Sequence, residues 1–197
     1  MSMMRVTGGV FRGRRIKSLP GQSTRPTSDM VRESLFNILG EKIADSSFLD
    51  IFAGTGSVGI EALSRGAERA AFIEKNGFAC KIIRENLDLL GIADKCVVIK
   101  ADFSKGLRML ENNGEAYDVI FIDPPYDRGY ASDCLEAVTC SKLLKPGSVI
   151  VVQHSVSEDL KAPPGIICYK EKRYGITKLS FFTGVSRDVH SNIPREF

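Results

Sequence analysis

Between residues 48 and 153, short apolar runs alternate with amphipathic stretches, and no other feature limits the possible fold so tightly. Strands are read at 48–52 (Phe-Leu-Asp-Ile-Phe), 70–74, 96–100, 118–122 and 148–153. Helices fall between them near 57–65, 77–90, 103–112 and 130–141, the first two stopped by Gly66 and Gly91. Such alternation implies a parallel sheet with helices covering both faces. The rhythm breaks after residue 153. Two β-rich segments, 166–173 and 176–183, are separated only by a Tyr174-Gly175 turn, too short for a helix, so they predict an antiparallel hairpin on the sheet edge. Upstream, Val31, Leu35, Ile38 and Leu39 recur at spacings of three and four. This predicts a helix capped by Thr27 or Ser28 and stopped by Gly40. The expected architecture is α/β: a mostly parallel seven-stranded sheet with an antiparallel C-terminal hairpin, behind a small N-terminal β-hairpin/helix extension. Residues 1–40 are read as the extension, 41–184 as the main domain and 185–197 as a tail.

Composition excludes several alternatives. No apolar run approaches the ~20 residues of a membrane helix, and Met1-Ser2-Met3-Met4-Arg5 offers no apolar core of a secretion signal. The five cysteines form no C-x-x-C pair, and His154 and His190 lie far apart. Neither a disulfide scaffold nor a metal site is expected; buried, reduced thiols in a cytoplasmic protein are. The net charge of +3 conceals an asymmetry, for residues 1–32 carry seven cations against one acid, a net +6, leaving −3 for the rest. Gly8-Gly9 and Gly13 predict a hairpin or loop presenting Arg5, Arg12, Arg14, Arg15 and Lys17, with Arg12 and Arg14 on one face and Arg15 and Lys17 on the other. A basic arm on a slightly acidic body suits a polyanionic partner.

Asp50-Ile51-Phe52-Ala53-Gly54-Thr55-Gly56-Ser57-Val58-Gly59 joins one strand to the next helix. Glycines there let the backbone turn tightly and approach a ligand, with helix N–H groups facing it. Gly54-x-Gly56-x-x-Gly59 fits the dinucleotide fingerprint, and Glu74 stands 20 residues after Gly54, where a carboxylate can accept both ribose hydroxyls. The loop alone suits NAD or S-adenosylmethionine (SAM). Asp50 favours SAM, because a carboxylate attracts an ammonium-bearing ligand and repels a pyrophosphate. Asp102 can accept from an adenine amino group while Phe103 covers the ring, although Asp102 also reads as a helix N-cap.

Asp123-Pro124-Pro125-Tyr126 is the most specific signal. It ends a buried strand at the edge where open α/β sheets bind ligands. Two prolines stiffen the backbone and remove two N–H donors. An amine on a base is a poor nucleophile because its lone pair is delocalised into the ring. The Asp123 carboxylate and the Pro124 carbonyl can hold its hydrogens and favour a pyramidal nitrogen, while Tyr126 stacks on a flipped-out base.

These residues resemble the class I SAM-dependent methyltransferases that modify exocyclic amines through a D/N-P-P-Y/F motif. More narrowly, the chain resembles the RsmD family of bacterial 16S rRNA guanine-N2 methyltransferases. The resemblance runs to about residue 183 and rests on Arg5-Val6-x-Gly8-Gly9 with Gly13-Arg14, Thr24-Arg25-Pro26-Thr27, Val31-Arg32-Glu33-Ser34-Leu35-Phe36-Asn37, Leu49-Asp50-x-Phe52-Ala53-Gly54-x-Gly56 and the Asp123–Tyr126 tetrad. It implies a Rossmann-like sheet and a monomer acting on 16S rRNA within the small ribosomal subunit or its assembly intermediate. SAM is the implied cofactor and S-adenosylhomocysteine the product, without a metal. The implied catalytic set is Asp123, Pro124 and Tyr126, and the cofactor set is Asp50, Phe52, Gly54, Thr55, Gly56, Glu74, Asp102, Phe103 and Thr27. The implied RNA set is Arg5, Arg12, Arg14, Arg15, Lys17, Arg25 and Arg32. A DNA adenine-N6 or cytosine-N4 methyltransferase would share the tetrad but need a sequence-reading insertion, which is not evident. A dinucleotide oxidoreductase leaves the tetrad without a role, and a non-enzymatic RNA-binding module leaves the SAM loop without one.

Overall fold

The computed structural model describes the backbone of residues 2–19, 26–125 and 129–184 and the side chains of 3–19, 29–125 and 129–184. In chain order the elements are β1 (Ser2–Arg5), β2 (Arg15–Ser18), α1 (Pro26–Leu39), β3 (Ser47–Ile51), α2 (Ser57–Ser64), β4 (Arg69–Glu74), α3 (Gly77–Leu90), β5 (Cys96–Lys100), α4 (Phe103–Asn112), β6 (Tyr117–Ile122), α5 (Tyr130–Thr139), β7 (Leu144–Ser155), β8 (Ile166–Tyr174) and β9 (Thr177–Gly184). Strands β3 to β9 form one seven-stranded sheet in the order β5-β4-β3-β6-β7-β9-β8, while β1 and β2 pair separately. Pairing is parallel from β5 across to β7, and β9 and β8 add antiparallel.

Because side chains alternate across a strand, a sheet covered on both sides needs apolar residues at successive positions. Phe48, Phe72, Val119, Phe121, Val149, Val151, Leu179 and Phe181 face α1, α2 and α3. Leu49, Ile51, Ile73, Ile120, Ile122, Ile150, Val152 and Phe182 face α4 and α5. Strand order reverses at β3, whose neighbours β4 and β6 lead toward opposite edges. Ligands of open α/β sheets lie beyond the strands' carboxyl ends at such a point. No helix of the described residues is long and apolar enough to cross a membrane.

Three expectations need correction. Helix α1 begins at Pro26, so Thr27 and Ser28 lie inside its first turn and do not cap it. Proline suits that first position because its missing N–H would have had no helical acceptor. Gly40, with φ +52°, follows the last helical residue, Leu39, where the stop was expected, and opens a short 3₁₀ turn, Gly40–Ile43. Strand β7 starts four residues earlier than read, at Leu144, because Leu144 pairs with Tyr117 before a register shift. Of the five free cysteines, Cys140 and Cys168 are exposed.

The β1–β2 arm packs tightly on α2 and α3. Val6 and Ile16 are buried in the same core as Phe48 and Phe72. Thr7 donates from its backbone N–H and its hydroxyl to the two carboxylate oxygens of Glu61, at 2.8 and 2.7 Å. Ser64 donates to the Gly8 carbonyl and accepts from the Phe11 N–H. A Cβ at Gly9, where φ is +73°, would lie 1.8 Å from the Ser64 carbonyl oxygen, so this contact requires glycine. Buried Asn86 of α3 accepts from the Lys17 N–H and donates to the Lys17 carbonyl and to the Thr55 carbonyl. One amide thus ties the arm to the glycine loop.

Candidate active site

A cleft of about 1050 Å³ opens at the carboxyl ends of β3, β4 and β6. The glycine loop forms its floor. Phe52, the first loop residue, has φ +63°, a conformation that bulky side chains rarely adopt and that marks strain held in place by its surroundings. Gly54 and Gly56 are also left-handed, and a Cβ on Gly54 would meet nothing within 4 Å, so its backbone lies open to a ligand. Gly59 serves packing instead. A Cβ there would come within 2.3 Å of the Phe72 ring, so glycine lets α2 sit close on the sheet. Thr55 is buried, its carbonyl held by Asn86.

Four acids border this cleft, Asp50, Glu74, Asp102 and Asp123. Asp50, 2% exposed, accepts from the Gly59 N–H at 2.9 Å. Burial raises its carboxyl to about 8 against the pull of that N–H, with Asp123 and Glu74 adding repulsion. Asp123 is likewise raised by burial, to about 7, opposed by a hydrogen bond from Gln153. Glu74 accepts from Gly54 N–H at 2.9 Å through one oxygen and from Asn76 N–H at 2.7 Å through the other. Each carboxylate oxygen retains a second lone pair, so ribose hydroxyls remain acceptable donors. Asp102 caps α4 by accepting from the Lys105 N–H, which holds its carboxyl below the usual range. It also borders the cleft, so both readings of Asp102 apply.

Phe103 packs against Phe52 with ring centroids 5.5 Å apart, and Tyr130 joins them at 6.3 Å from Phe52. Together the three rings form a continuous aromatic wall of the cleft. Tyr130 escaped the sequence reading because it opens a helix 27 residues downstream of Phe103. Gln153, also unforeseen, reaches Asp123 because parallel pairing aligns Ile122 with Val152, and the residue after each stands at the same sheet edge. The turn between β8 and β9, residues 174–177, forms the far wall, and Tyr174 and Ser34 join it to α1 through their hydroxyls.

The cleft brings together Asp50, Phe52, Gly54, Thr55, Glu74, Asp102, Phe103, Asp123 and Pro124. Gly56 supports the loop from below, its position packed over Ile83 and Phe72. Tyr126 and Arg25 lie outside the described residues, as do the side chain of Thr27 and the tail 185–197.

The basic set divides. Arg5, Arg12, Arg14 and Arg15 are exposed. Lys17 is paired with Glu85 at 2.7 Å, an ion pair that lowers the Glu85 carboxyl. Arg12 and Arg14 sit in the turn and not on a strand face; only Arg15 and Lys17 share the outward face of β2. Arg32 does not face solvent at all. It is 5% exposed, bonded to Asp29 and the Arg5 carbonyl and paired with Glu61 at 3.5 Å, although it also borders the cleft.

Comparison with known proteins agrees with this geometry. The family model described as conserved hypothetical protein 95 matches residues 4–183. Ribosomal RNA small subunit methyltransferase D of Haemophilus influenzae is 32% identical over 179 residues, 91% of this chain and 93% of that protein. The protein of the same name from Escherichia coli K12 is 34% identical over 161 residues, covering 82% of this chain and 79% of the other. The solved structure of yhhF from Escherichia coli superposes with a TM-score of 0.81 at 28% identity, covering 92% of this chain and 98% of that one. With a family match spanning the arm, the glycine loop and the Asp-Pro-Pro segment, the chain belongs to the conserved hypothetical protein 95 family, that of the RsmD methyltransferases.

Proposed function

We propose that this chain transfers a methyl group from SAM to the exocyclic N2 amine of one guanine in 16S rRNA. The observation that carries this reading is the convergence of Asp50, Glu74 and Asp102, the open glycine loop and the Asp123-Pro124-Pro125 segment on one cleft. The relatives named as small-subunit rRNA methyltransferases support the choice of RNA. In this reading the enzyme works as a monomer in the cytoplasm, on the small subunit or its assembly intermediate.

The fit to the cofactor rests on charge and shape. SAM brings a positively charged sulfonium whose methyl group is already activated for transfer. Glu74 and Asp102 accept from ribose and adenine, Phe52, Phe103 and Tyr130 enclose the ring, and Asp50 provides negative charge beside the loop. Asp123 and Pro124 act on the substrate. The carboxylate accepts one amine hydrogen and the Pro124 carbonyl the other, aiming the nitrogen lone pair at the methyl group. Nitrogen gains the carbon, and the carbon–sulfur electron pair leaves with sulfur. The amine proton then passes to Asp123, whose carboxyl at about 7 is matched to holding and releasing it near neutrality. Tyr126, the residue after Pro125, is assigned to stack on the base.

Labelled SAM mixed with small subunits lacking the modification tests the reading. Label should appear in 16S rRNA and map to N2 of a single guanine; label on adenine, on cytosine or only in DNA overturns it. The arm contributes phosphate contacts, each adding about 0.7–0.9 to the log–log salt slope of binding. Replacing Arg12, Arg14 and Arg15 with Glu should therefore flatten the slope and weaken binding to the subunit. Normal binding and methylation at physiological salt would remove the arm from the RNA site.

A further inference from the structure

Gln153 donates from Nε2 to Oδ1 of Asp123 at 2.9 Å, in the cleft where the base must enter. The amide nitrogen is thus the end of Gln153 that faces the carboxyl, as its donor role requires. The carbonyl oxygen Oε1 is then the other corner of the same planar group, about 2 Å from the nitrogen by bond geometry. The contact fixes Asp123 as well: with Oδ1 engaged, Oδ2 is left to meet the amine.

The three bases that present a ring amine to such a site differ at the neighbouring ring nitrogen. Beside the N2 amine of guanine, N1 carries a hydrogen and donates. Beside the N6 amine of adenine and the N4 amine of cytosine, the ring nitrogen carries a lone pair and accepts. A carbonyl oxygen next to the amine-binding carboxylate therefore completes a hydrogen bond with guanine alone and opposes a lone pair with either other base. An unmatched polar pair in a water-poor site is costly, which makes such discrimination steep.

We propose that Gln153 is the residue that selects guanine: Asp123 orients its amide, and its carbonyl oxygen accepts the N1–H of the base whose N2 amine Asp123 holds. This rests on the guanine-N2 reading above and adds the determinant of base choice to it. The parallel β6–β7 pairing supplies the juxtaposition, since Ile122 and Val152 are register partners and Asp123 and Gln153 follow them directly. Gln153 is only half-buried, so its substitution does not open a hole in the core.

The test compares small subunits reconstituted with guanine or 2-aminopurine at the methylated nucleotide. 2-Aminopurine keeps the amine but has a lone pair at N1. The unaltered enzyme should favour guanine by about 100-fold or more in kcat/KM. Gln153→Met keeps the length of the side chain and loses the acceptor; its preference should fall to within about tenfold, chiefly through slower methylation of guanine. Gln153→Glu keeps an acceptor but replaces the amide donor, so the preference should survive where the two carboxyls share a proton, and the second carboxylate beside Asp123 shifts the acid limb of the pH–rate profile upward. SAM binding by calorimetry checks that each variant is folded. A Met variant that retains the full preference, or a folded Glu variant that loses it even at the acid end of its profile, overturns the assignment. An unaltered enzyme inactive on guanine-bearing subunits overturns the guanine reading itself, a result distinct from an active enzyme whose discrimination ignores residue 153.

Discussion

Two acidic sites, one centred on Glu61 of α2 and the other on Asp50 and Asp123 in the cleft, are built on opposite terms. Glu61, fully buried, meets Arg65 at 2.9 Å and Arg32 at 3.5 Å and accepts twice from Thr7. Its charge is compensated within the chain. Asp50 is also buried and Asp123 half-buried, yet neither has an ion pair among the described residues, and their carboxyls are pushed up to about 8 and about 7. A buried carboxylate with its own cations holds structure together; buried carboxylates without them favour a ligand that brings positive charge. The first group locks the arm to the sheet, and the second leaves the cleft short of positive charge.

Breaking the compensated group should have the largest effect. Glu61→Ala leaves Arg32 and Arg65 without their shared partner and removes the acceptor for Thr7, so unfolding free energy should drop by about 3–5 kcal/mol. A denaturant titration showing less than about 1 kcal/mol would show that the arm is held by apolar packing alone. Asp123→Ala should cut turnover by about two orders of magnitude or more without lowering the melting temperature. Near-normal turnover would place Asp123 with the structural acids and end the parallel drawn here. Glu74→Ala should weaken SAM binding by about 1–3 kcal/mol in calorimetry, since charge-assisted hydrogen bonds to ribose are lost. Tight binding of NADH in place of SAM would reassign the cleft.

A further prediction concerns pH. Asp50 and Asp123 hold their protons more tightly in the folded chain than at the ordinary value of 3.8. The stability this lends is fully present below that value and is lost as pH rises through about 7 to 8. Ligand-free protein should therefore lose up to about 1.4 kcal/mol per pH unit for each acid between the ordinary value and the raised one, with the decline levelling off above about 7 to 8. Asp50→Asn should reduce that decline and raise the melting temperature at pH 8, whereas saturating SAM should offset it. A melting temperature independent of pH between 5 and 8 in the ligand-free enzyme would mean that neither carboxyl is raised.

Periodicity made the sheet legible, because a strand buried on both faces must be apolar at successive positions, as Val119-Ile120-Phe121-Ile122 is. The glycine loop was equally plain, since glycine at 54 and 56 answers a local backbone need. Counter-ions were not legible. Lys17 finds Glu85, and Arg32 finds Glu61, through folds of the chain that a local count of charge does not register. Gln153 is a neutral residue 30 positions from Asp123, and only the register of two parallel strands gives it meaning. The start of β7 was hidden for a different reason: Lys145-Pro146-Gly147 has the composition of a turn, yet it lies within the strand across an irregular register.

Strand β8 ends the sheet, and among the described residues nothing pairs with its outer side. Nine residues of open backbone are an invitation to a second copy of the chain. Lys170, Lys172 and Arg173 stand exposed along it, while the single acid between them, Glu171, is already bound to Lys178. Two such edges meeting would set cation against cation, so repulsion guards the border against stacking into larger assemblies. Dissolved ions screen that guard, and concentrated salt would leave the same edge free to polymerise.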